Sequence, residues 1–180
     1  MTDRTATWAL PEWTVLAVLH EEPRHGFAIA ALTAPDGDLG RVWQIPRPVV
    51  YRALGRLAEA GLVQAGAEEA GPGPRRTPYR ITAQGRAAVD AWLTEPVGHV
   101  RQIRSHLLMK LALLHRRGTD PEPLLRRQRT VLVPLVEATR AERERRDGFD
   151  AVLLAWRHAT AAAALGFVDD LLRTPTRSPA

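Results

Sequence analysis

Apolar and polar positions change period several times along the chain, and each change marks an element. Pro11 to His20 places Trp13, Leu16, Ala17 and Leu19 or His20 at helical spacing, with a proline at a permitted first-turn position and EEPRHG ending the run. A short second helix is predicted from His25 to about Leu32, with Phe27, Ile29, Ala30 and Leu32 apolar. APDGDLG is a turn. VWQIPRP is extended, because residues preceding Pro46 and Pro48 are pushed out of the α region. From about Pro48 to Ala60, Val50, Leu54, Leu57 and Ala58 follow i, i+4, i+7, i+8 and face a core. Tyr51, Arg52, Gly55, Arg56 and Glu59 are left outside, and Gly61 supplies the left-handed residue that stops the helix.

LVQAGA then begins a strand, EEAGPGPRRTP is rich in Gly and Pro, and YRIT alternates as a second strand, so the pair is a hairpin with a basic tip. Thr82 is placed to cap a further helix reading AQGRAAVDAWL. Helix, helix, helix, strand, basic loop, strand, helix is the order of a winged helix-turn-helix, in which the third helix enters a major groove and the hairpin is the wing.

After TEPV the pattern becomes wholly helical. The period predicts one amphipathic helix over Arg101–Arg117, striped by Ile103, Leu107, Leu108, Leu111 and Leu114. TDPEP is a helix start, with Asp120 as cap, Pro121 in the first turn and Glu122 complementing the dipole; this helix bends at Pro134. A last helix from about Phe149 to Leu172 carries Phe149, Val152, Leu153, Trp156, Thr160, Ala163, Phe167 and Leu171 on one face. Such stripes exceed what a helical tail buries alone, which predicts self-association through Leu107, Leu111, Phe149, Leu153, Trp156 and Phe167. The fold class expected is mainly α with a small β-hairpin: a winged helix-turn-helix over residues 1–96 and a helical dimerisation domain over 97–180.

Composition narrows the chemistry. The 180 residues are 45% hydrophobic, enough for a core, and contain no cysteine, so neither disulfides nor thiolate metal sites are available. The N-terminus lacks the pattern of a signal peptide, and the apolar run Ala159 to Val168 is too short to span a bilayer, which predicts a cytoplasmic protein without a membrane partner. His20 to His25, HEEPRH, fails as a zinc helix, because the histidines are five apart with Pro23 between them. GPGPRRT lacks the Lys-Ser/Thr of a phosphate loop, and Ser105 lacks a Gly-x-Ser-x-Gly elbow. Neither a catalytic site, a metal site nor a cofactor is expected.

The formal net charge of +5 rests mostly on arginine, the side chain suited to phosphate and base contacts. Arg52 and Arg56 lie on the polar face of the third helix, and no acidic residue stands between Arg41 and Ala58 to neutralise them. Tyr51 offers a phosphate its hydroxyl. Arg75, Arg76 and Arg80 on the wing suit minor-groove or phosphate contact. With Arg47 these are the expected contacts to double-stranded DNA. Trp92 and Trp156 are candidates to stack on a small aromatic effector between the two domains, against the plainer reading of a tryptophan at helical spacing as packing.

VLAVLHEEPRHGFAI, VVYRALGRLAEAGLV, GPGPRRTPYRITAQGRAAVDAWL and the Trp-Leu-x-x-Pro junction together resemble the PadR family of bacterial transcriptional regulators over roughly residues 10–96. IRSHLLMKLALL and LLRRQR resemble the C-terminal helical domain of its virulence-activator-like subfamily. The resemblance implies a homodimeric DNA-binding regulator, commonly a repressor on a near-palindromic operator, sometimes tuned by a small effector near the dimer interface. Arg47 and Pro48 depart from it, standing where the family usually has small residues. The alternative is a winged helix used for protein assembly without specific DNA binding, against which the basic face argues.

Overall fold

The computed structural model describes residues 8–67, 69–71 and 73–174, with the side chains of residues 68–76 outside the description. The chain divides into two compact units, Met1–Leu93 and Thr94–Ala180.

The first unit is a winged helix-turn-helix. Helix α1 (Leu10–Glu21) is buried on every side from Thr14 to Leu19, more deeply than its sequence pattern predicts. The Thr14 hydroxyl is satisfied by donating to the Leu10 carbonyl at 2.8 Å. A two-residue strand β1 (Arg24–His25) precedes α2 (Gly26–Leu32). The fully buried Thr33 hydroxyl reaches the Ile45 carbonyl at 3.2 Å, fixing the long turn before α3 (Arg47–Glu59). This third helix buries Val50, Ala53, Leu54 and Leu57. Ala53 takes the place expected of Ala58, which is exposed.

Gly61, at φ 71°, ends α3. Its N–H bonds the Ala58 carbonyl and that of Leu62 bonds the Leu57 carbonyl, which satisfies two orphan acceptors while Leu62 plugs the core. Strand β2 (Val63–Ala65) pairs antiparallel with the later strand β5 (Pro78–Ile81), Val63 opposite Ile81 and Ala65 opposite Tyr79, and β1 pairs with the other edge of β5. Between them β3 (Glu69–Gly71) and β4 (Gly73–Arg76) form a separate two-stranded tip with an irregular register. The predicted single hairpin is therefore a wing in two ladders. Thr82 accepts from the Gly85 N–H at 3.1 Å, capping α4 (Ala83–Thr94).

The second unit opens with a 3₁₀ turn (Val100–Gln102) and a π-helical turn (Ile103–Leu107) before α5 (Leu108–Arg116). The continuous helix expected over Arg101–Arg117 is thus interrupted. The wider π turn shifts the helical phase, so Met109, Lys110 and Leu113 are buried and Leu108 and Leu111 are only half-buried. Helices α6 (Glu122–Arg143) and α7 (Gly148–Arg173) pack on each other, burying Leu124, Leu125, Gln128 and Leu132 on one and Leu154, Ala161, Ala164 and Val168 on the other. Asp120 accepts from the Glu122 N–H at 2.9 Å, as its cap position predicts, and α6 continues through Pro134. Arg129 Nε and Asp169 Oδ1, 2.8 Å apart, tie the pair. Gln128 is fully buried and pairs with the backbone of Val97 twice, accepting at 2.8 Å and donating at 3.0 Å.

Helix α7 buries a different line from the stripe expected of it, and Phe149, Val152, Leu153 and Trp156 face outward. By length and composition it is also long and apolar enough to cross a membrane, with 26 residues and a window of mean hydropathy 1.4. The shorter run Ala159 to Val168 lies within it. Arg157 and His158 lie inside the apolar stretch, and its buried line is used against α6.

Candidate nucleic-acid interface

The outward side of α3 follows from its buried line. With Val50, Leu54 and Leu57 inward, a helical period puts Pro48, Arg52, Gly55 and Glu59 farthest from the core and places Tyr51 and Arg56 on opposite flanks. All six are exposed. Arg52 makes no ion pair among the described residues. A Cβ added at Gly55 meets nothing within 4 Å, so no packing inside the protein calls for glycine there, and the face is locally flat.

Arg56 is held differently. Its Nη1 lies 2.5 Å from Oε1 of the buried Glu12, and its guanidinium stands over the Trp8 ring at 5.3 Å. The acidic partner missing from its own helix comes from α1. The orientation expected of Arg56, free beside Arg52, is corrected accordingly.

On the other flank Arg47 lies 5.3 Å from the Phe27 ring centroid and 5.6 Å from that of Tyr51. Phe27, one of the apolar residues of the second helix, is 53% exposed at the start of α2, where it holds the guanidinium at the entrance to α3. The same contact positions Tyr51. Phe27 is the member of this cluster that the sequence reading missed; its signal was the His-Gly-aromatic triplet before α2.

On the wing, Arg80 is exposed on β5 opposite Gln64. The backbone of Arg75 and Arg76 lies on β4, and their side chains lie outside the described residues.

Trp92 is buried, and its ring stacks on Trp13 at 5.2 Å and 5°. Trp13 covers one face of the Trp92 ring and little of the residue is exposed, which favours the packing reading. Trp156 is 68% exposed on α7. Of the residues expected at a dimer contact, Leu107 is fully buried in the single chain and is thereby withdrawn from that role. Leu111 and Phe167 line a pocket inside the second unit. Phe149, Leu153 and Trp156 remain on the surface.

In the same unit Ser105 and His106 share a contact of 3.1 Å, and burial followed by the nearby Lys110 charge lowers the His106 pKa. No hydrogen bond links this imidazole to a carboxylate among the described residues. No cluster of three metal-ligating groups occurs among them either.

Comparison with known proteins gives a family match to the transcriptional regulator PadR-like family over residues 15–91. No curated protein matches the chain. Among solved structures it is similar to Bacillus subtilis PadR in complex with operator DNA, with 14% identity, 92% of this chain and 98% of that one covered, and a TM-score of 0.48. It is similar also to Bacillus subtilis PadR in complex with p-coumaric acid, with 13% identity, coverage of 91% and 93%, and a TM-score of 0.41. Likeness to the Vibrio cholerae virulence activator AphA has 21% identity, coverage of 92% and 96%, and a TM-score of 0.40. The residues matched to that family, 15–91, take in the helix-turn-helix and its wing.

Proposed function

We propose that the chain acts as a homodimeric repressor that reads a near-palindromic operator through α3. The observation that carries this reading is the outward face of α3, where the exposed Arg52 and the flat Gly55 lie between Tyr51 and Arg56. Arg52 is the base-reading residue, since a guanidinium matches the paired acceptors of guanine in the major groove. Arg47 and Tyr51, ordered by Phe27, contact the sugar-phosphate backbone and set the helix in register. Arg80, with Arg75 and Arg76, supplies the wing contacts. A second copy brings the second half-site, and a ligand that favours one spacing of the two recognition helices tunes occupancy.

Selection of bound duplexes from a random pool by the purified chain tests this. Enrichment of a two-fold-related motif, lost from the pool in Arg52→Ala, is the expected result. Equal retention of all sequences would overturn specific recognition and favour an assembly role for the winged helix.

A further inference from the structure

We infer that the helical unit contains a binding site for a small organic cation, an amine with an aromatic or branched apolar body, at the turn between α5 and α6. The inference rests on this unit alone and is independent of the DNA-binding reading. A cavity of about 360 Å³ opens there, at the lower end of the range that takes small ligands. Three helices supply apolar walls: Leu111 from α5, Leu125 from α6, and Phe167 and Leu171 from α7. Leu111, Phe167 and Leu171 are only half-buried, so much of their apolar surface lacks a protein neighbour. An apolar ligand body gains about 25 cal/mol per Å² of such surface that it covers.

The turn that opens the cavity is structurally defined. Gly118, at φ 61°, follows α5, with its N–H on the His115 carbonyl and that of Thr119 on the Leu114 carbonyl. The chain thus reverses within a few residues, and the end of α5 and the start of α6 stand at one rim. Thr119 and Asp120 complete that rim.

Charge decides what enters. Besides the titratable imidazole of His115, Asp120 is the one ionisable group among the lining residues. The start of α6 has little to offer an anion, because Pro121 and Pro123 have no N–H and that of Glu122 is already bound to Asp120. The Asp120 carboxylate stands at this rim, so a ligand that seats an apolar body against Phe167 gains a second interaction there only if its polar end is cationic or donates hydrogen bonds.

Calorimetric titration of the full chain with three probes of nearly equal size tests the inference: 2-phenylethylamine, 3-phenylpropionate and ethylbenzene. The amine should bind saturably at one per chain, and the carboxylate about tenfold more weakly. Asp120→Asn keeps a side chain that caps α6 yet removes the charge, so it should fold as wild type and bring amine and carboxylate to similar affinity. Leu111→Trp fills the cavity from a half-buried wall and should abolish binding of the amine, its fold checked by circular dichroism. Absence of saturable amine binding, an unchanged preference in Asp120→Asn, or undiminished binding in a folded Leu111→Trp protein would each overturn the site.

Discussion

Glu12 of α1 and Arg56 of α3 stand with carboxylate and guanidinium 2.5 Å apart, which ties one flank of α3 to the buried helix beneath it. The Glu12 side chain is 7% exposed and that of Arg56 is 51% exposed, so truncating the arginine strands a carboxylate that the fold cannot release to water. Arg56→Ala is expected to lower unfolding free energy by about 2 kcal/mol, below the loss of a fully buried pair because water reaches the guanidinium. Urea denaturation measures it. Glu12→Gln in the Arg56→Ala background should recover part of the loss; additive losses would show that the pair is not coupled.

Arg52→Ala should behave oppositely. With no ion pair to break among the described residues, stability should stay within about 0.5 kcal/mol of wild type, while operator affinity falls by about 1 to 3 kcal/mol and specificity relaxes at one position of each half-site. Arg75→Ala should weaken all sequences alike and reduce the log-log salt slope by about 0.9 for each phosphate that it leaves without a positive charge. Fluorescence anisotropy on matched and scrambled duplexes across salt concentrations distinguishes the two variants. Equal weakening on both duplexes by Arg52→Ala would reassign it to the backbone.

Elements were legible where a local rule controls them. The stop at Gly61 and the caps at Thr82 and Asp120 depend on neighbours a few residues away, and the structure has all three. Partners distant in sequence were not legible: Glu12 neutralises Arg56 across two helices, and Trp13 covers Trp92. The π turn at Ile103–Leu107 was hidden for another reason. IRSHLLMKLALL has apolar residues at so many positions that either helical phase finds a stripe, and tertiary packing selects the one burying Met109 and Leu113. Helix α7 poses the same ambiguity. Apolar residues occur on both sides, alanines and Leu154 against α6 and the bulky Phe149 and Trp156 outside, and large side chains mislead when small ones form the close contact.

Gly55 separates helix stability from recognition. Its site is open within the protein, so Gly55→Ala should stabilise the fold by about 1 kcal/mol through helix propensity. If the duplex approaches this face closely, the same methyl group should reduce operator affinity. Thermal denaturation and anisotropy on one preparation check the pair of effects, and a more stable variant with unaltered affinity would place the DNA farther from Gly55.

Lys110 gives the helical unit a pH signature. Burial lowers its pKa to about 8 from 10.5, with the Glu95 charge acting in the raising direction, and its Nζ donates to the Glu95 carbonyl at 2.5 Å. Below about pH 8 the ammonium is charged whether folded or not, and burying it opposes folding in full. Between 8 and 10.5 the unfolded chain holds more protons, so stability rises with pH. Lys110→Met should lack this contribution. Urea midpoints at about pH 7 and about pH 10 should therefore converge between variant and wild type in the wild type's favour; a constant difference would show that Lys110 does not titrate in this window.

Self-association should depend on the outward face of α7. Phe149, Val152 and Trp156 are 78%, 62% and 68% exposed, with Leu153 beside them at 36%, an apolar patch of a kind that soluble chains rarely leave bare. A two-fold contact would place the same patch on both copies, so each side chain counts twice. Replacing Leu153 and Trp156 together by glutamate would then bury unpaired charge at the contact. The line Leu154, Ala161, Ala164 and Val168 that packs within the unit is untouched, so the variant should keep its helical content. Sedimentation is expected to give dimers for wild type and monomers for the double variant. Operator affinity should fall with it, because separate copies no longer bind two half-sites as one ligand. A folded variant that still sediments as a dimer would move the interface off α7, and a monomeric wild type would overturn the two-copy reading itself.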